Sequence, residues 1–224
     1  MPLDPGAQMM IDMMNEMGFK LGDGDHVAVR AMSTAPLPPE DQRVPVAATE
    51  DRTIPGPAGE IPIRIYRPSL EGARPTVVFF HGGGFVIGDL NSHDATCRHL
   101  AVDADVVVVA VDYRLAPEHR FPAASDDCYA ATVWANDNIA SLGGAAGQLA
   151  VAGDSAGGNL SAVVAQMARD NGGPSLSFQL LIYPVTGGPW EEWPSYTENA
   201  EGYMLERAGM EWFTNHYIGE GVRL

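Results

Sequence analysis

Ser155 stands in Gly153-Asp154-Ser155-Ala156-Gly157, directly after the apolar run at residues 149–152 and directly before a helical pattern. A serine on a sharp strand-to-helix turn has its hydroxyl exposed. The helix start adds unpaired N–H groups and a positive dipole end. Those are the conditions for a nucleophile whose reaction creates an oxyanion. Glycines on either side are needed because side chains there would collide where strand and helix cross. A second motif lies upstream, where the short apolar run at 76–80 leads into His81-Gly82-Gly83-Gly84-Phe85. Three consecutive glycines cost backbone entropy, which argues for a loop whose N–H groups approach something closely. In acyl transfer that something is the tetrahedral oxyanion. Each motif alone could be an ordinary turn, but together they point to nucleophilic acyl transfer.

The elements that position these residues are legible from periodicity. Strands are predicted at residues 44–50, 61–66, 76–80, 106–111, 149–152 and 178–183. Helices are predicted at 92–102, 123–138 and 156–170, the last stopped by Asn171-Gly172-Gly173. Alternating strands and helices imply an α/β fold with a mostly parallel sheet, opened by an antiparallel pair. Residues 178–183 are nearly all apolar, as in a strand buried on both faces. Left at a sheet edge, the same strand would be a template for further pairing. Met10, Met13, Met14 and Met17 follow the i, i+3, i+4, i+7 spacing of an amphipathic helix. That stripe reads as ordinary packing, with an adaptable pocket wall as the other option. Residues 35–45 carry Pro36, Pro38, Pro39 and Pro45 and read as irregular chain.

Composition excludes several classes. The 224 residues are 46% hydrophobic, enough for one large core, and carry a net charge of −16. Such a charge argues against nucleic acid and anionic membranes as partners, and its simplest role is solubility. Cys97 and Cys128 are too few for a disulfide scaffold and read as reduced thiols. Met1-Pro2-Leu3-Asp4-Pro5 lacks the basic and apolar regions of a signal peptide, so a cytoplasmic protein is expected. No cofactor and no metal are expected. The histidines are scattered, Asp23-Gly24-Asp25-His26 does not continue as a calcium loop, and the glycine spacing fits no dinucleotide fingerprint.

The chain resembles the hormone-sensitive-lipase-like branch of the α/β-hydrolases. The likeness rests on His81-Gly82-Gly83-Gly84-Phe85, Asp112-Tyr113-Arg114-Leu115-Ala116-Pro117-Glu118 and Gly153-Asp154-Ser155-Ala156-Gly157-Gly158, in that order. It continues more weakly through residues 194–199 and 210–213. The resemblance implies an α/β-hydrolase fold with about six of the usual eight strands. It divides the chain into a first cap part (1–42), a hydrolase core (43–186) and a second cap part (187–224). The implied function is hydrolysis of short- to medium-chain acyl esters, with acetyl amides as the fallback, through an acyl-enzyme on Ser155. Backbone N–H groups of Gly83, Gly84 and Ala156 would form the oxyanion hole, while His81 and Gly82 belong to the oxyanion loop. Aromatics after residue 184, among them Trp190, Trp193, Trp212, Phe213 and Tyr217, would supply cap core and some pocket wall.

One departure from the family pattern matters. The triad order is Ser, then Asp or Glu, then His, yet the single histidine after Ser155 is His216, which lies in a helix-like segment. The catalytic Asp and His are therefore expected beyond residue 224, from a further C-terminal segment or another chain. Assembly of two or more copies stays open. A non-catalytic small-molecule receptor on the same scaffold, or an inactive fragment, is the alternative. His26, His93, His99 and His119 read as surface or loop histidines, and Arg114 with Glu118 as an ion pair.

Overall fold

A computed structural model describes residues 3–16, 20–22, 24–34, 36–188 and 193–222. Among the described residues six strands form one sheet: β1 (Ala48–Gly56), β2 (Gly59–Arg67), β3 (Arg74–Phe80), β4 (Val107–Val111), β5 (Gly144–Asp154) and β6 (Phe178–Ile182). Their spatial order is β1-β2-β4-β3-β5-β6. β1 and β2 are an antiparallel hairpin, β2 pairs antiparallel with β4, and β4, β3, β5 and β6 run parallel. The helices are α1 (Pro5–Glu16), α2 (His26–Ser33), α3 (Asp94–Asp103), α4 (Ala123–Asp137), α5 (Ala156–Asp170), α6 (Ser195–Glu198) and α7 (Arg207–Ile218).

The central strands lack polar alternation because both faces are covered. All five residues of β4, Val107-Val108-Val109-Ala110-Val111, are buried. On one face Cys97 and Ala101 of α3 pack with Tyr66, Phe79, Val108 and Ala110. On the other, Ala131 and Cys128 of α4 and Leu160 and Val164 of α5 pack with Val78, Phe80, Val109 and Val151. Small residues on α4 let that helix approach the sheet closely. Cys97 and Cys128 are both free and buried.

Two expectations need correction. β1 runs from Ala48 to Gly56, later than predicted, and Ile54 is its one buried residue. This strand is held by its ladder to β2, so the charged run Glu50-Asp51-Arg52 carries no apolar signal of a strand. β6 lies at the edge of the described sheet, as expected of a chain with six of the usual eight strands, with Phe178, Leu180 and Leu181 exposed. The methionine stripe of α1 is not packed either; Met10 and Met13 are exposed and the helix buries no residue. Met17 lies outside the described residues.

Two segments far apart in sequence meet above the C-terminal ends of the parallel strands. Val29 of α2 and Phe213 and Tyr217 of α7 join the core on the side of α4 and α5. The Tyr217 ring stacks on Phe85 at 3.9 Å, and Trp212 Nε1 donates to Gly24 O at 3.0 Å.

Candidate active site

β5 ends at Asp154 and α5 begins at Ala156, leaving Ser155 between them at φ 53° and ψ −116°. That backbone is strained for any residue but glycine, by roughly 1–3 kcal/mol. Surrounding bonds hold it. Ser155 N–H donates to Ile182 O at 2.9 Å, and Ser155 O accepts from Asn159 N and Val185 N, each at 3.1 Å. A Cβ on Gly153 would lie 2.4 Å from the backbone of Gly157, which accounts for the glycine there. Among the described residues the Ser155 hydroxyl has no hydrogen-bond partner.

The glycine loop after β3 lies against this turn. Gly82 N–H donates to Asp154 Oδ1 at 3.0 Å, one residue before Ser155. Gly83 and Gly84 have φ of 122° and 58°, which side chains rarely adopt. Gly83 O accepts from Val86 N at 3.0 Å and Ile87 N at 2.9 Å, closing a tight turn. A Cβ on Gly83 would meet Ile87 O at 2.1 Å, and one on Gly84 would meet the Phe213 ring at 2.3 Å. Among the described residues, the N–H groups of Gly83, Gly84 and Ala156 have no acceptor. Three unpaired backbone donors therefore lie in the loop and helix start that flank an unpaired serine hydroxyl.

The histidines fall into different roles. His81 is buried, stacked on Tyr113 at 4.3 Å, with Nδ1 2.8 Å from Gly82 O. Burial holds its ring neutral, lowering its pKa to about 4. His216 spends Nδ1 on Trp212 O, 2.8 Å away in its own helix, and its ring packs on Trp212. His99 and His119 are exposed. His93 lies in a turn, within the surface-or-loop expectation, but it is half-buried and partnered. Only 18% of its side chain is exposed, and Nε2 lies 3.3 Å from Asp154 Oδ1. Its sequence neighbours give no sign of this, because the contact exists only once α3 has docked on the sheet.

The expected Arg114–Glu118 pair is replaced by two others. Arg114 clasps Asp127, with Nε–Oδ2 and Nη2–Oδ1 both 2.8 Å. Glu118 receives both Nη atoms of Arg30 at 2.7 Å. Arg30 also donates to Val86 O at 2.6 Å and Ala116 O at 2.5 Å. One guanidinium thus ties α2 to the turn behind the glycine loop, through Arg's forked donor geometry.

Ligands in parallel α/β sheets sit at the C-terminal ends of the strands, where Ser155 is. The hollow of about 620 Å³ bordered by Ala165, Gly173 and Phe178 lies at the opposite end of β6 and is not this site. No group of three or more metal-ligating side chains occurs among the described residues, and no described helix is long and apolar enough to cross a membrane.

Sheet order, strained serine turn and facing glycine loop define a hydrolase of the α/β class. A family model described as alpha/beta hydrolase fold matches residues 77–224, and the chain belongs to that family. It is 44% identical over 222 residues to the Esterase LipI of Mycobacterium tuberculosis, covering 97% of this chain and 68% of that protein. It is 45% identical to the same organism's Carboxylic ester hydrolase LipN (96% and 59%). For Carboxylesterase NlhH, again from M. tuberculosis, the identity is 46% (96% and 67%). A solved hyperthermophilic esterase from the archaeon Pyrobaculum calidifontis is 41% identical with a TM-score of 0.90, covering 98% of this chain and 72% of that one. The chain thus spans roughly two thirds or less of these curated relatives' length. The resemblance to hormone-sensitive-lipase-like carboxylesterases holds, and these relatives are named as esterases and carboxylesterases. The receptor alternative finds no support among these relatives.

Proposed function

We propose that Ser155 is the nucleophile and that the N–H groups of Gly83, Gly84 and Ala156 form the oxyanion hole of an esterase for short- to medium-chain acyl esters. The carrying observation is the three unpaired donors flanking an unpaired, strained serine. Ser155 Oγ attacks the ester carbonyl, and its proton passes to a base. The carbonyl oxygen gains negative charge and is met by the three N–H groups, each worth about 3 kcal/mol in such a site. Collapse expels the alcohol, which takes the proton back, and water then releases the acid by the same steps in reverse order.

The base in this reading is a histidine oriented by an Asp, both outside residues 1–224. Its support is that among the described residues no histidine bonds Ser155 and His216 is committed to Trp212. We assign residues 43–186 to the hydrolase core and residues 1–42 and 187–224 to a cap, an arrangement that fits the meeting of α2 and α7 over the glycine loop. Trp190, an expected cap aromatic, lies outside the described residues. Buried thiols fit a cytoplasmic setting.

The test is hydrolysis of p-nitrophenyl esters by the natural protein and its Ser155→Ala variant, with fluorophosphonate labelling in parallel. Loss of about 10⁴-fold or more in kcat, and of labelling, is the expected result. A Ser155→Ala protein that keeps wild-type turnover overturns the assignment.

A further inference from the structure

Asp154 does two things at once. Its main chain leads from β5 into Ser155, and its side chain turns back to the glycine loop, where Oδ1 accepts Gly82 N–H at 3.0 Å. His93 reaches the same point from a third segment. Its Nε2 lies 3.3 Å from Asp154 Oδ1, 3.4 Å from Oδ2 and 3.3 Å from Gly82 N, while Nδ1 is 2.9 Å from Ser92 Oγ. Burial pushes the Asp154 carboxyl up, but His93 and the Gly82 N–H outweigh it and hold the acid below its ordinary range. An ionised carboxylate only accepts, so His93 pairs with Asp154 when Nε2 carries a proton.

His93 is itself fixed. It is the residue before α3, and Asp94 beside it is buried in an ion pair with Arg98 at 2.8 Å and accepts from Tyr66 Oη at 3.0 Å. Val86 and Ile87 close the far end of the glycine loop through Gly83 O; the near end is held by the Gly82–Asp154–His93 contacts and by Tyr113 Oη, which donates to His81 O at 2.7 Å. Gly83 and Gly84 take positive φ values that lose much conformational freedom, so an anchor there has a large effect on where their N–H groups point.

We infer that His93 is a positioning residue for ester hydrolysis, locking the Gly83 and Gly84 donors to the strand that carries Ser155 by holding Asp154 on Gly82. The inference rests on the proposed roles of Ser155 and the glycine loop. No assignment of His93 follows from the residue types alone, and His93 neither touches substrate nor moves a proton in the reaction.

The consequence is specific to the transition state. Oxyanion donors meet a charge that is absent in the bound ester, so their misplacement lowers kcat and leaves KM nearly unchanged. Deleting one such donor outright costs about 10²–10³-fold, and loosening two of them should cost about 10- to 100-fold.

The experiment compares wild type, His93→Ala, His93→Gln and Ser155→Ala in the natural protein. Turnover of p-nitrophenyl butyrate, inhibition by an alkyl boronic acid and thermal melting are measured for each. His93→Ala should lose about 10- to 100-fold in kcat with KM within about twofold, and boronic acid affinity should fall in parallel. His93→Gln, whose amide N–H can reach Asp154 as Nε2 does, should recover most of both. A His93→Ala enzyme with wild-type kcat and boronate affinity overturns the inference, provided Ser155→Ala is inactive. An active Ser155→Ala enzyme instead overturns the reading on which it rests. A loss confined to KM or to the melting temperature also overturns it. Should His93→Ala fail to fold, hydrogen exchange of the Gly82 amide in wild type decides: protection supports the clamp, and exchange at the rate of an open loop overturns it.

Discussion

Gly157 lies so close to Phe80 that a Cβ on the glycine would come within 1.8 Å of the Phe80 carbonyl oxygen. The obstacle is backbone on both sides: Phe80 C would be at 2.5 Å and His81 O at 2.7 Å. No rotamer change can relieve it.

Gly157→Ala should therefore force α5 away from β3 and carry Ser155 with it. We expect a loss of about 4 kcal/mol or more, in the range reserved for named steric or burial faults. Thermal melting and fluorophosphonate labelling check this, and both should fall together. Gly172→Ala is the control, since nothing lies within 4 Å of its Cβ position and only its positive φ opposes the change.

Arg98 is 1% exposed, and its head group joins Asp94, Glu40 and Val44 O. Arg98→Met should leave Asp94 buried with only Arg64 and Tyr66 as partners. Breaking a buried pair from one side costs about 3–5 kcal/mol, and the surviving partners place this case near the lower end. A melting temperature lower by roughly 6–12 °C is expected. Adding Asp94→Asn to Arg98→Met should recover part of that loss.

His81 gives a pH dependence whose sign follows from its burial. The folded ring titrates at about 4, below its ordinary value of 6.5, so the unfolded chain binds the proton first. Its contribution is fully present above pH 6.5 and is lost as pH falls from 6.5 towards 4, by on the order of 3 kcal/mol. Urea melts between pH 7 and 4 should show a shallower acid slope in His81→Asn than in wild type.

Phe213 lies against Gly84 and so borders the space above the proposed oxyanion hole. A pocket closed by such a ring should favour acyl chains of modest length. In a p-nitrophenyl ester series kcat/KM should peak before the longest chains, and Phe213→Ala should move the peak to longer ones. A steady rise to the longest acyl chain in wild type would contradict a bounded pocket.

Much of this architecture is readable from residue order, for physical reasons. Strands buried on both faces have continuous apolar runs, so β3 and β4 stand out, and α5 begins and ends where its glycines and apolar stripe predict. The bounds of β1 are misplaced because an edge strand held by main-chain bonds needs few apolar side chains. The contacts of His93 and Arg30 are not legible in the sequence for another reason. Their partners, Asp154 and Val86 with Glu118, are brought near only by the docking of α3 and α2. For Arg114 the sequence suggests Glu118, four residues on in the same segment, whereas the fold offers it Asp127, one helical turn inside α4.

Cys97 and Cys128 lie on opposite faces of the sheet, one under α3 and one under α4. Burial drives both thiols far above their ordinary pKa, so neither reacts while its helix is seated. Each is consequently a clock for one layer. The rate at which a thiol reagent consumes Cys97 times the lifting of α3, and the rate at Cys128 times that of α4. If the two rates differ, the layers of this molecule come apart separately, and the slower clock marks the part that holds until the whole chain unfolds.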